Sequence, residues 1–175
     1  NQAELYYTTG QYEQAISEYT KAIEMTPRDA PIYYKRGNAY RAKGQYDQAI
    51  SDYTKALEIK PRYTEAYYYR AIAYKSKGQY DQAIADLTKA LEISPMVAEA
   101  YHNRGALYVA KAKGLYDEGI PDFDKAIETC PQYSIAYDDR ANAYEARAEA
   151  EAKGIAAAEA ELRRQAQSHA AAVRE

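Results

Sequence analysis

The chain has no tryptophan, one phenylalanine, one cysteine and two histidines among 175 residues. A lone Cys130 excludes an intramolecular disulfide framework, and with His102 and His169 it makes too few soft ligands for a metal centre. No apolar run approaches the roughly 20 residues that a membrane-spanning helix needs, and no leader pattern opens the chain. Neither sign of charge dominates, since 23 Lys and Arg meet 26 Asp and Glu for a net charge of -3. Nothing global therefore points to nucleic acid or to an anionic membrane surface. There is no phosphate loop, no Ser, His and Asp set and no metal-ligand pair, so the expectation is a non-enzyme without cofactors. The compartment is left open, leaning to the cytoplasm. What is abundant is tyrosine, with 21 copies, so a ring that keeps a polar tip does the aromatic packing.

Lys43-Gly44-Gln45-Tyr46-Asp47-Gln48-Ala49-Ile50 recurs letter for letter from Lys77 to Ile84, 34 residues later. Gly10 to Ile16 echoes it upstream, and Gly114 to Ile120 more loosely downstream. A fixed period of this kind marks an array of units too small to bury their own apolar faces. Pro27, Pro61, Pro95 and Pro131 keep nearly the same period and each stops a helix, because the residue before Pro is pushed out of the α region. Gly10, Gly44, Gly78 and Gly114 supply the other break, so each unit is predicted to hold two helices. In the second unit Tyr33, Gly37 and Tyr40 share a face of the first helix. Tyr46, Ala49, Ile50, Tyr53, Ala56 and Leu57 share a face of the second. Gly37 and Ala49 are expected at the closest approach of the two.

The series Tyr33, Gly37, Tyr40, Ala49, Tyr53, Ala56, Pro61, and its successor Tyr67, Ala71, Tyr74, Ala83, Leu87, Ala90, Pro95, resembles the tetratricopeptide repeat. The resemblance implies an all-α, right-handed superhelical solenoid of antiparallel helix pairs. The array is read as residues 1–144: a partial first repeat (1–29), repeats 30–63, 64–97 and 98–133, and the first helix of a fifth from 134. Residues 145–175 are read as an extension of that helix, a break at Gly154 and a C-terminal capping helix. The cap would carry Ile155, Ala158, Leu162, Ala166, His169 and Val173 along one face. The chain opens without Met and partway through a unit, and an upstream segment is the expectation.

Departures from the family pattern are informative. Arg36, Arg70, Arg104 and Arg140 stand where the family usually has Leu, while Glu18, Asp52, Asp86 and Asp122 recur on the second helices. We read the two series as an interhelical ion-pair ladder, since a partly buried guanidinium requires a partner. The alternative is a basic stripe for an acidic ligand. The fourth unit holds a two-residue insertion around residues 110–113, and Gly119 replaces Ala. Pro121 falls in its second helix, and Asp117 as the cap would leave that proline in the first turn.

By the same resemblance the first helices line a concave groove that receives a peptide. Tyr34, Lys35, Asn38 and Arg41, then Tyr68, Tyr69, Ile72 and Lys75, then His102, Asn103, Ala106, Asp138 and Asn142 are the groove candidates. Tyr34, Tyr68 and Tyr69 are surplus to the packing positions, which favours them as anchors. Asn38, Asn103 and Asn142 offer amides to a peptide backbone. The Lys, Asn and Arg clamp by which chaperone-binding relatives hold a C-terminal carboxylate is not reproduced, and Glu65 and Glu99 would repel such a group. The function expected is a non-enzymatic scaffold for a protein or peptide partner. The alternatives are a self-assembling homo-oligomer joined through open repeat ends, or a regulatory module of a larger enzyme.

Overall fold

A computed structural model describes the backbone of residues 2–111 and 115–172. Among these residues there are helices and no strands, running α1 (Gln2–Thr8), α2 (Tyr12–Met25), α3 (Ala30–Ala42), α4 (Tyr46–Ile59), α5 (Thr64–Ser76), α6 (Tyr80–Ile93), α7 (Ala98–Lys111), α8 (Tyr116–Thr129) and α9 (Ser134–Ala172). Each packs mainly on its sequence neighbours, and the first helices of successive units also touch, α3 with α5 and α7 with α9. The architecture is an all-α repeat solenoid whose first helices crowd together on one side.

The punctuation acts through the backbone. Gly10, Gly44 and Gly78 take φ of 77°, 75° and 72°, the left-handed conformation that glycine adopts without steric cost. The next residue then donates back into the helix, as Gln45 N to Tyr40 O at 2.9 Å and Gln79 N to Tyr74 O at 2.9 Å, which closes a Schellman turn. At the other end, Thr26, Lys60, Ser94 and Cys130 hold φ between -127° and -141° ahead of their prolines. Gly114 lies outside the described residues, as do residues 112 and 113 of the inserted stretch.

Inside each complete pair, the residue at the centre of the second helix sets the size of its opposite. Tyr53 and Leu87 are fully buried and Phe123 is 1% exposed. Burying one such side chain contributes roughly 1.5–3 kcal/mol. Tyr53 leaves room only for glycine, since a Cβ on Gly37 would come within 2.8 Å of its ring. The smaller Leu87 accompanies Ala71. In the fourth unit both contact residues are glycine: a Cβ on Gly119 would lie 2.9 Å from the Gly105 carbonyl oxygen and 2.9 Å from Val109 Cγ2. Gly119 is therefore a close-approach residue.

The arginines join these pairs to one another. Arg70 on α5 donates from Nε and Nη2 to Asp86 on α6 at 2.7 and 2.8 Å, and from Nη1 to Thr54 on α4 at 2.9 Å. Arg36 makes the same set with Asp52 (2.8 and 2.8 Å) and Thr20 (3.0 Å). Arg104 does so with Asp122 (2.7 and 2.7 Å) and Thr88 (3.0 Å). Tyrosines three before and four after lie against the guanidinium, Tyr67 at 5.6 Å and Tyr74 at 6.0 Å from Arg70. Hydrogen bonding to Asp52 holds the Arg36 guanidinium above its usual pKa. Glu18 departs from the expected ladder: it pairs with Lys21 on its own helix at 2.7 Å, because the matching position one unit earlier is Gln2 and not Arg.

Two expectations for the C-terminal half are corrected. Leu115 is the N-cap of α8, so Asp117 is not the cap and Pro121 lies beyond the first turn. The helix continues there because Asp117 and Pro121 are both exposed, where water can take the carbonyl that Pro leaves unbonded. The second correction concerns Gly154. No break occurs there: α9 is one helix of 39 residues, about 58 Å long at 1.5 Å per residue.

A lone glycine costs only about 1 kcal/mol against alanine in a helix, and ion pairs support the turns around it, Arg147 with Glu151 and Lys153 with Glu149 before it and Arg164 with Glu161 after it. Nor do the described side chains of the face expected after it become buried, since Ala158 is exposed. Ile155 is 62% exposed, and the side chains of Leu162, Ala166, His169 and Val173 lie outside the described residues. With no helix folding back, Tyr137 and Tyr144 stay 39% and 43% exposed, and Arg140 finds its carboxylate on the preceding pair, at Asp124, 2.6 Å away. Asp124 occupies the place that Thr20, Thr54 and Thr88 hold in the earlier units.

Asp86→Asn is expected to lower stability by about 3 kcal/mol, because it leaves a buried guanidinium without its counter-charge. Arg70→Leu with Asp86→Leu should cost much less, and urea unfolding followed by circular dichroism compares the two. Gly119→Ala should lower the melting temperature even though alanine is the better helix former and stands at the matching positions Ala49 and Ala83.

Candidate functional site

Side chains from α3, α5 and α7 meet on the side where the first helices crowd together. A cavity of about 600 Å³ opens there, lined by Arg41, Tyr68, Tyr69, Ile72, Lys75, Asn103 and Ala106 among others. A second, of about 430 Å³, lies at the opposite end of the same seam and is lined by Thr64, Glu65, Tyr68, Tyr69, Ser94, Val97 and Glu99. Tyr68 and Tyr69 form the wall between the two, with ring centroids 5.2 Å apart and edge to face.

Hydrogen bonds fix this wall. Asn103 Nδ2 donates to Tyr68 Oη at 3.0 Å and to the Glu99 carbonyl at 2.9 Å, and Asn103 Oδ1 accepts from Lys75 Nζ at 3.3 Å. Asn103 is thereby committed to holding Tyr68, which corrects its expected role as a grip on a peptide backbone. Since Tyr68 Oη accepts from Asn103, its own proton is left to donate to a ligand. The Arg41 guanidinium lies 5.0 Å from the Tyr69 ring centroid, and its buried Nε makes no hydrogen bond among the described residues.

The remaining candidates are distributed differently. Tyr34 is packed between Tyr63, Tyr69 and Tyr53, at centroid distances of 5.1, 5.9 and 6.1 Å. It is a neighbour-to-neighbour packing residue and not a free anchor. Asn38 Oδ1 accepts from Tyr53 Oη at 2.7 Å, which ties that amide oxygen to the core. Lys35 is bound to Glu4 of α1 and lines neither cavity. His102, expected on the groove surface, is 8% exposed. Its Nε2 lies 2.7 Å from Asp139 Oδ2 and its Nδ1 3.4 Å from Tyr133 Oη, so it docks α9 onto α7. Asp138 and Asn142 are exposed on α9 and line neither cavity.

One periodic set escaped the reading of the sequence. Lys43 bonds Glu13 at 2.8 Å, Lys77 bonds Asp47, Lys111 bonds Asp81, and Arg147 bonds Asp117 at 3.0 Å. The three lysines join the end of a first helix to the start of the previous second helix, and Arg147 does the same from the interior of α9. The signal was present as an acid and a base recurring 30 residues apart.

Among the described residues, no group of three or more His, Cys, Asp or Glu side chains could hold a metal ion, and no helix is long and apolar enough to cross a membrane. A curved stack of helix pairs with an aromatic, polar inner seam is a helical-repeat scaffold for protein interaction. The chain belongs to the tetratricopeptide repeat family: the family profile described as TPR repeat matches residues 3–41, 37–78 and 73–112, and that described as tetratricopeptide repeat matches 98–133. The solved structure of MamA protein aligns at 28% identity and a TM-score of 0.78, over 85% of this chain and 81% of MamA. YrrB, a TPR protein with an unusual peptide-binding site, aligns at 26% identity and 0.71, over 82% of this chain and 73% of YrrB. The first TPR of Spaghetti (RPAP3), bound to the HSP90 peptide SRMEEVD, aligns at 28% identity and 0.65, over 68% of this chain and 93% of that one. No curated protein matches the chain.

Burial pushes the phenols of Tyr19, Tyr63 and Tyr68 up to about 12, and Tyr53 is also raised by burial. The unfolded chain ionises these groups near pH 10, so it releases protons first as pH rises. Stability is therefore complete below about pH 10 and falls as pH climbs towards about 12. Tyrosinate absorbance should rise in two phases, the second coinciding with loss of helical circular dichroism.

Proposed function

We propose that this chain binds an extended segment of another protein along the seam between α5 and α7, with an apolar side chain of that segment seated in the larger cavity. The observation that carries this reading is the cavity itself. It is walled by Tyr68, Tyr69 and Ile72, and its rims hold Arg41 and Lys75, which form no ion pair among the described residues. Tyrosine rings are rigid and amphipathic, so they bury ligand surface at small cost in conformational entropy. The likeness to YrrB and to the first TPR of Spaghetti, both described with a peptide site or a bound peptide, supports the same reading.

Chemistry enters only as recognition. Tyr68 donates its phenol proton to a ligand carbonyl, Asn103 keeps that ring in place, and Ile72 with Tyr69 excludes water from the anchor. Peptides selected from a random displayed library should bind the purified chain with micromolar affinity in fluorescence anisotropy. Ile72→Gln, which makes the cavity floor polar, should weaken them about tenfold while leaving the melting temperature within a degree or two. Unchanged affinity for Ile72→Gln would move the site elsewhere.

Self-assembly has a narrower basis. Ile135, Tyr137 and Tyr144 are exposed on α9, where a second helix would cover them in a complete unit. A concentration-independent monomer in sedimentation analysis removes that reading.

A further inference from the structure

The two cavities of the seam carry opposite charge. Arg41 and Lys75 stand at the cavity near the C-terminal ends of α3 and α5, and Glu65 and Glu99 at the cavity near the N-terminal ends of α5 and α7. None of the four makes an ion pair among the described residues. By contrast Lys43, Lys77 and Lys111, on the same first helices and loops, are each neutralised by an acid of the preceding unit. The Lys75 ammonium meets only the neutral Asn103 Oδ1, at 3.3 Å, and Arg41 Nε is buried without an acceptor.

Nor do the two pairs neutralise each other. Glu65 and Lys75 are ten residues apart on one helix, about 15 Å at 1.5 Å per residue. That is more than the Debye length of about 8 Å in physiological salt. Each end of the seam therefore presents an unsatisfied field to whatever occupies it, with the apolar wall of Tyr68 and Tyr69 between.

We infer that the seam selects peptides bearing one basic and one acidic side chain about four residues apart, with an apolar residue between them. The spacing follows from the same 15 Å, since an extended chain advances about 3.4 Å per residue. The acidic side chain goes to Arg41 and Lys75, the basic one to Glu65 and Glu99, and the apolar one to the tyrosine wall. This rests on the peptide-groove reading and adds to it the chemistry of the partner.

The test uses the full chain and labelled eight-residue peptides with a central Leu in fluorescence anisotropy. One peptide carries Lys and Glu four residues apart, and the others carry Lys and Lys, Glu and Glu, or Gln and Gln at the same places. The mixed-charge peptide should bind about tenfold more tightly than the Gln peptide, an advantage that shrinks with added salt. Glu65 and Glu99 are exposed, so Glu65→Lys with Glu99→Lys should leave the fold intact and turn the preference to the Glu and Glu peptide. Binding by all four peptides with equal affinity overturns the charge selection and leaves the groove reading standing. Binding by none of them overturns both.

Discussion

A guanidinium held against a carboxylate on one side and a threonine hydroxyl on the other ties three helices at a single point. Arg70 does this for α4, α5 and α6, and Arg36 and Arg104 repeat it for the pairs before and after. The side chains are mostly buried, with Arg70 and Asp86 at 16% and 8% exposure, so each ion needs the other to offset its lost hydration. That requirement fixes the rotation between one pair and the next. It also accounts for much of the tyrosine content, since rings at three before and four after screen the charge from water and present their faces to it. A leucine at the same position would pack as well but would not couple a unit to its predecessor through a directed bond.

The end of the array follows from the same constraint. Among the described residues no second helix follows α9 to supply an acid, and Asp124 takes the place of threonine on the preceding pair to meet Arg140. His102 adds a further tie between α7 and α9 through Asp139. The long helix therefore starts as a member of the array and leaves it after about three turns, with Ala143 the last buried residue among the described side chains.

The groove inherits its character from what the ladders leave over. Lys43, Lys77 and Lys111 at the ends of the first helices are consumed in joining one unit to the next, whereas Arg41, Lys75, Glu65 and Glu99 stay without ion pairs among the described residues and sit at the two ends of a single seam. Tyr68 and Tyr69 divide that seam, and Asn103 holds one of them in position. On the proposed reading, recognition on this scaffold comes from a small set of residues where the repeat is least regular, against a background of repeated residues whose partners are within the protein.

Much of the fold was legible because it is local. A glycine with positive φ ends a first helix, a proline ends a second one, and alternating large and small residues set the pairing, all within a span of 34 residues. The Arg and Asp series was legible for the same reason, as a period needs no tertiary knowledge. What could not be read was which of several apolar or polar neighbours wins a contested place. Tyr34 and His102 look like surface residues by position, yet the curvature brings Tyr63 and Tyr69 onto one and Tyr133 and Asp139 onto the other. Gly154 reads as a turn by analogy with Gly44, but a turn forms only when the residues beyond it can bury a face against the helix they leave. The sequence by itself determined the repeat, the helices and the charge ladder. Tertiary packing alone decided which tyrosines are spent in the core, where the two cavities open and that the last helix continues through Gly154, because each depends on surface supplied by a different unit.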